Sequence, residues 1–250
     1  MSIPDGPQIK TAIGLEPVDA IDFLRSKGAL ITGNWTEWRN GQHATGFTVA
    51  NVTKLDVLTD IQDSLVKALQ QGQTLEQWKE SLIPLLREKG WWRREGTAAQ
   101  LAAAGRINPA TGEIAKGLTP HRLKVIYETN MQSAYMAGRQ KQMLEQVGSR
   151  PYWSWVSLQY GKHRRPSHVA MHGRVFRYDD ELFTHVWPPC GFGCKCTMRS
   201  YSERDMQRSN LKVESTKGKL KHVDVPLRDG STAKVIRYTD PSFGKAGYFQ

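Results

Sequence analysis

Long apolar runs are missing from this chain. No stretch approaches the roughly 20 apolar residues that a membrane-spanning helix needs, so no membrane partner is expected. The opening residues, Met1-Ser2-Ile3-Pro4-Asp5-Gly6, lack a basic patch followed by an apolar segment, and no secretory signal is expected. Cysteine is scarce: 3 residues in 250, an odd count, all between 190 and 196. That is a poor disulfide framework for a secreted protein and points to assembly in a reducing cytoplasm. A phosphate-cradling Gly-rich loop of the Walker kind and a Gly-x-Ser-x-Gly elbow are also absent. With them go two large enzyme classes, and no small-molecule substrate is expected. Internal repeats and low-complexity blocks are absent too.

What is present is enough to build a core. Hydrophobic residues make up 39% of the chain and there are 8 tryptophans, which excludes wholesale disorder. The formal charge is +11 and its distribution is uneven. Residues 1–118 hold 13 basic and 13 acidic groups, whereas 119–250 hold 22 and 11. The whole excess therefore lies in the second part. It is either a solvated basic surface or a face turned towards polyphosphate.

Periodicity predicts helices. Pro17 to Lys27 reads as a short helix with Ala20, Ile21, Phe23 and Leu24 inward. Residues 31–52 read as irregular, anchored by Trp35, Trp38 and Phe47. Leu55, Leu58, Ile61, Leu65 and Leu69 recur at helical spacing behind Thr53 as N-cap, and Gly72 ends that run. Thr74 and Gln77 form a capping box for the next helix, which Pro84 is expected to kink or split. Trp91-Trp92-Arg93-Arg94 reads as buried aromatics with a salt-bridged rim, in preference to a base-stacking platform. Residues 95–118 read as a loop. Thr119-Pro120 opens a long helix with Leu123, Ile126, Asn130, Ser133, Ala137 and Leu144 on one stripe. A buried Asn130 needs a partner, and a structural hydrogen bond is expected.

Strands follow at Tyr152–Leu158 and Arg174–Tyr178, then a short helix at Tyr201–Arg208 and a basic loop over 212–221. A hairpin is predicted for 222–225 and 232–238 around Asp229-Gly230. The fold class is α+β: a mainly helical N-terminal part, then a small mixed α/β region with short antiparallel strands. The expected division is a helical partner-binding region over 1–118, and over 119–250 a long helix plus a basic Cys/His-containing domain.

The densest chemistry lies between Tyr152 and Met198, which carries all 3 cysteines and, of the 7 histidines, His163, His168, His172 and His185. Cys194-Lys195-Cys196 turns alternate side chains to one side of a Gly-rich bend, an arrangement that suits a tetrahedral ion. His168 and His172 share a face if their segment is helical. A structural zinc held by His168, Cys190, Cys194 and Cys196, with His172 in reserve, is one reading. The other is that His168 hydrogen-bonds a backbone carbonyl and the thiols are small core residues or a redox-sensitive pair. A catalytic reading uses His163, His168 and His172 as a phosphodiesterase cluster beside Arg164 and Arg165. Its nearest acids are Asp179, Asp180 and Glu181, and no complete catalytic set appears. The candidate nucleic-acid contacts are Arg164, Arg165, Arg174, Lys212, Lys217, Lys219 and Lys221.

Four stretches carry a family resemblance. They are His43-Ala44-Thr45-Gly46-Phe47-Thr48-Val49-Ala50; Thr119-Pro120-His121-Arg122 with Ile126, Thr129-Asn130, Ala134-Tyr135 and Ala137-Gly138-Arg139; Arg165-Pro166-Ser167-His168 with His172-Gly173; and Pro188-Pro189 with Cys194-Lys195-Cys196. In order and spacing they resemble phage Mu F-like minor head proteins, of the tailed-phage head-morphogenesis group. The resemblance implies a non-enzymatic, low-copy structural component of the virion head, assembled in the host cytoplasm. It implies portal protein and major capsid or scaffold protein as partners, and the basic excess over 119–250 adds packaged phage DNA as an expected partner. Family members often continue past the final hairpin, so a short member or a processed form of a longer protein is expected.

Overall fold

Apolar residues at spacings of three and four make the helix α2, Leu55–Gln71. It turns Leu58, Ile61 and Leu65 fully inward. Full burial of each such side chain is worth about 1.5–3 kcal/mol. The computed structural model describes residues 17–32, 42–93, 95–107, 112–157, 165–227 and 230–243. The expectations for residues 1–16, Trp35, Trp38, Arg94, Leu158, His163, Arg164 and Asp229 lie outside these.

The described residues fall into two compact units, one of 17–32 and 46–134, the other of 42–45 and residues from 135 onward. In the first, α1 (Val18–Ser26) packs on α2. The buried Gln62 secures that contact by donating to the carbonyls of Leu24 and Lys27 at 2.8 and 2.9 Å. Strands β1 (Gly28–Ala29) and β2 (Gly46–Phe47) form a two-residue parallel pair. Gly72 closes α2 in the left-handed conformation at φ 61°. The helix start differs from expectation. Lys54 occupies the N-cap position without a side-chain cap, because Thr53 spends its hydroxyl on Gly105 O at 2.6 Å.

Helix α3 (Leu75–Glu88) begins at the expected capping box and runs unbroken through Pro84. Pro84 and Glu80 both lie on the exposed side, where water can take over the bond the proline removes. The 95–118 segment is not all loop: α4 (Ala98–Ala103) opens with a second capping box, Thr97 and Gln100. Trp91 and Trp92 are buried, with Arg106 and Arg93 over their rings at 5.7 and 5.4 Å.

The long helix α5, Pro120–Glu145, starts with Arg122 N–H on the Thr119 hydroxyl at 3.3 Å. Asn130 donates to Ile126 O one turn back at 2.8 Å, a structural role. Leu144, expected on the inner stripe, is exposed, and Met143 is buried in its place. Met136 and Met143, seven residues apart and so on one face, are the residues that enter the core of the second unit.

The second unit is built on a four-stranded sheet, in the order β5 (Thr197–Tyr201), β3 (Tyr152–Val156), β4 (Val175–Arg177), β6 (Val213–Glu214). β3 pairs antiparallel with β4 and β5, and β6 adds in parallel to β4. Trp153 and Trp155 are both buried on β3, so a pair of residues on one side of the pleat meets an aromatic layer. There Trp153 packs against Phe183 at 5.1 Å and Trp187 at 5.5 Å. Short helices α6 (Pro166–Val169), α7 (Leu182–His185) and α8 (Glu203–Arg208) connect the strands. The Pro188–Pro189 peptide is cis. β7 (His222–Pro226) and β8 (Thr232–Ile236) form the predicted antiparallel hairpin. The fold is α+β, as the pattern of elements predicts. No helix among the described residues is long and apolar enough to cross a membrane.

Lys27 is 4% exposed, and burial pushes its ammonium from an ordinary 10.5 down to about 7. The unfolded chain therefore binds the extra proton between those two values, and stability contributed here rises with pH across that window. Lys27→Met should raise stability most below pH 7, by up to a few kcal/mol on the order set by the shift, less the ammonium contact with the Phe23 ring at 4.6 Å that it removes. The gain should shrink as pH climbs towards 10.5, and parallel melts of both proteins from pH 6 to 10 check this.

Candidate metal centre

Helix α6 is only four residues long, begins at Pro166 and carries His168 inward to 3% exposure. His168 Nε2 lies 2.9 Å from the Tyr238 carbonyl. A carbonyl can only accept, so Nε2 bears the hydrogen and Nδ1 presents its lone pair. Nδ1 faces Cys196 Sγ at 3.5 Å and Cys194 Sγ at 3.7 Å. The three ligand atoms lie within 4.8 Å of one another and all three residues are buried. Trp155 closes one side of the imidazole, ring to ring at 5.7 Å.

Local geometry explains the convergence. Cys194 N–H closes a turn on Gly191 O at 3.1 Å, and Gly193 takes a φ of 71° to complete it. Cys196 leads directly into β5, so Cys194 and Cys196 point the same way by the two-residue period of extended chain. Cys190, in the same loop, is fully buried, and its thiol donates to Trp187 O at 3.3 Å. It lies outside the converging trio.

The thiols are electrostatically unequal. A hydrogen bond from the Cys196 thiol, with help from His168 and against the cost of burial, holds Cys194 well below the ordinary thiol range. Cys196 is pushed up by donating that hydrogen bond and by burial. Burial likewise raises Cys190. Two sulfurs and one imidazole nitrogen form a donor set suited to a soft or borderline cation.

Asp240 and Phe243, past the predicted hairpin and without a sequence signal, help to hold the site. Asp240 N–H donates to Cys190 O at 2.9 Å, and its carboxylate pairs with Arg165 at 2.9 Å. Arg165 also donates to Phe192 O at 3.1 Å. His43 stacks on Phe243 at 4.2 Å and meets the edge of Phe192 at 5.3 Å. His172 is not drawn in, since its Nδ1 accepts from Ser157 N–H at 3.1 Å.

Of the candidate phosphate contacts, Arg165 is thus paired with Asp240, and Arg174 is held by Glu214, with Nε to Oε1 at 3.1 Å and the terminal nitrogen to Oε2 at 2.6 Å. Lys212, Lys217, Lys219 and Lys221 are exposed. Arg164 lies outside the described residues. A concentration of charge that sequence reading missed is a cleft of about 370 Å³ lined by Arg139, Arg150, Arg199 and Arg208 against the single carboxylate of Asp205. Arg150 and Arg208 share Asp205 at 2.9 and 3.2 Å. Arg139 donates to Met198 O at 2.7 Å. Arg199 forms no ion pair among the described residues.

The family of Phage Mu protein F like proteins matches residues 59–199. The chain belongs to that family. It is 36% identical over 93% of its length to the putative capsid assembly protein F of Escherichia phage Mu, covering 51% of that protein. It is 33% identical over 84% of its length to the Mu-like prophage FluMu F protein of Haemophilus influenzae, covering 48% of that one. The chain therefore spans about half the length of the curated relatives it matches. No solved structure matches it. The matched part of this Mu F family member includes the whole of α5, α6, the converging trio and the start of β5 up to Arg199.

A Cβ at Gly191 would run into the Asp240 carboxylate and the Arg165 guanidinium, both ends of partly exposed side chains. Gly191→Ala should separate that ion pair and lower stability by about 1 kcal/mol or less, the worth of a partly exposed pair. Denaturant titration of wild type and variant measures it.

Proposed function

We propose that this chain is a structural, non-enzymatic head-morphogenesis protein of a tailed phage. It is built into the head at low copy as a minor capsid component and contacts the portal and the capsid or scaffold protein. The observation that carries this reading is the match to a protein named for capsid assembly, over 93% of the chain. The two compact units suit an adaptor with separate surfaces for separate partners. Quantitative mass spectrometry of purified proheads and mature heads of the encoding phage should find the protein at a few copies per particle. Its absence from both refutes the proposal.

The packaged DNA is the further partner in this reading. Four arginines around one carboxylate leave a local excess of positive charge, and an open basic cleft attracts phosphate without regard to base sequence. Arg165 and Arg174, already spent on carboxylates, contribute less. Purified protein should bind duplex DNA without sequence preference, and affinity should fall steeply with salt. Arg199→Glu with Arg208→Glu should weaken binding at low salt and flatten the salt slope by about one to two phosphate contacts. Equal affinity at low and high salt would rule the DNA contact out.

A phosphodiesterase reading finds little support. His168 is 3% exposed with both nitrogens engaged, and Asp180 holds Thr216 and the α7 turn. Labelled DNA incubated with the protein and divalent cations should remain intact.

A further inference from the structure

We propose that His168, Cys194 and Cys196 are ligands of one zinc ion and that Cys190 completes a Cys3His set. This does not rest on the head-assembly reading and survives its failure. Distance is the first argument. Zinc binds thiolate sulfur at about 2.3 Å and imidazole nitrogen at about 2.0–2.1 Å in a tetrahedron, which makes each nitrogen–sulfur edge about 3.6 Å. The two edges here are 3.5 and 3.7 Å. A sulfur-to-nitrogen hydrogen bond explains one such contact. The one hydrogen of the Cys196 thiol cannot serve Cys194 and the His168 lone pair together, so hydrogen bonding leaves one of the two contacts unaccounted for, whereas a cation placed between the three atoms satisfies all of them.

The surroundings of the histidine are the second argument. A metal-bound imidazole almost always donates its other N–H to a carbonyl or carboxylate, which fixes the tautomer and aims the free nitrogen. His168 does this with Tyr238 O at 2.9 Å. The ring is already turned as a ligand.

Chemistry selects the ion. The donors are sulfur and imidazole, and the nearby carboxylate, Asp240, is engaged by Arg165. Hard cations that need several oxygens are therefore disfavoured, and zinc is favoured. Cys190 is fully buried in the same loop, and its thiol now bonds Trp187 O. As a thiolate it would release that carbonyl and take the fourth position. Three thiolates and zinc leave one net negative charge, beside a loop that the Asp240-paired Arg165 guanidinium contacts at Phe192 O. The ion would tie together α6, the 190–196 loop and the start of β5, so metal binding would couple to the folding of this unit.

The test uses the full chain purified without chelator. Elemental analysis should find about one zinc per chain, as a single tetrahedral site requires. Replacement by cobalt(II) should give the visible bands of a tetrahedral site and a near-ultraviolet thiolate charge-transfer band. Chelator should lower the melting temperature and open Cys194 and Cys196 to alkylation, and added zinc should reverse both. Cys194→Ser and Cys196→Ser should each abolish zinc retention, and Cys190→Ser should lose zinc to a weaker chelator than wild type does. If the serine variants do not fold, the wild-type measurements still decide. Wild-type protein with no zinc, no cobalt charge-transfer band and a melting temperature indifferent to zinc and chelator overturns the proposal. Unchanged zinc retention by Cys190→Ser overturns the part assigned to Cys190.

Discussion

A buried imidazole has two nitrogens to satisfy, and at His168 that requirement organises the second unit. One nitrogen is anchored to Tyr238 O, just beyond the hairpin β7–β8. The other faces the two sulfurs of the loop that leads into β5. A short helix, a Gly-rich loop and a segment about 70 residues later in the chain are thus tied to one ring. Leaving a buried donor unsatisfied costs about 1–3 kcal/mol. The carbonyl of Tyr238, the tautomer of His168 and the direction of the thiols therefore stand or fall together. The Arg165–Asp240 pair and the bond from Asp240 N–H to Cys190 O hold the same three segments from the other side.

Charge in this unit divides into what is spent and what is offered. Arg165 and Arg174 look like phosphate contacts in the sequence because they sit in a basic, His-rich stretch. Each is committed to a carboxylate from a distant part of the chain, Asp240 or Glu214. Arg139, Arg150, Arg199 and Arg208 belong to α5, its exit, β5 and α8, and they share one cleft. A count of basic residues along the chain finds the excess but not its location, because pairing removes some cations and folding gathers others.

The helices were legible because their signals are local. The capping box at Thr74 and Gln77, the apolar spacing through α2 and the glycine at 72 each act within one or two turns. The same signal was present at Thr97 and Gln100 and marks α4, overlooked within a segment rich in small residues. Thr53 shows the opposite failure. It has the right side chain for an N-cap, and a carbonyl 52 residues away takes its hydroxyl instead. β6 has two exposed residues and no pattern of its own, and it is a strand only because β4 offers a free edge.

Residue order and local spacing thus carried the α+β class, most helices, the β7–β8 hairpin, the membership in the Mu F family and the Cys/His segment as the place where chemistry concentrates. Those features depend on contacts within a few residues, which periodicity and capping report directly. Tertiary structure decided that His168 meets Cys194 and Cys196 while His172 turns to Ser157, that Tyr238 and Asp240 close the site, and that four arginines gather around one carboxylate in one cleft. These depend on pairs separated by tens of residues, and which partner a polar group finds at that range is set by sheet register and burial, neither of which local spacing encodes.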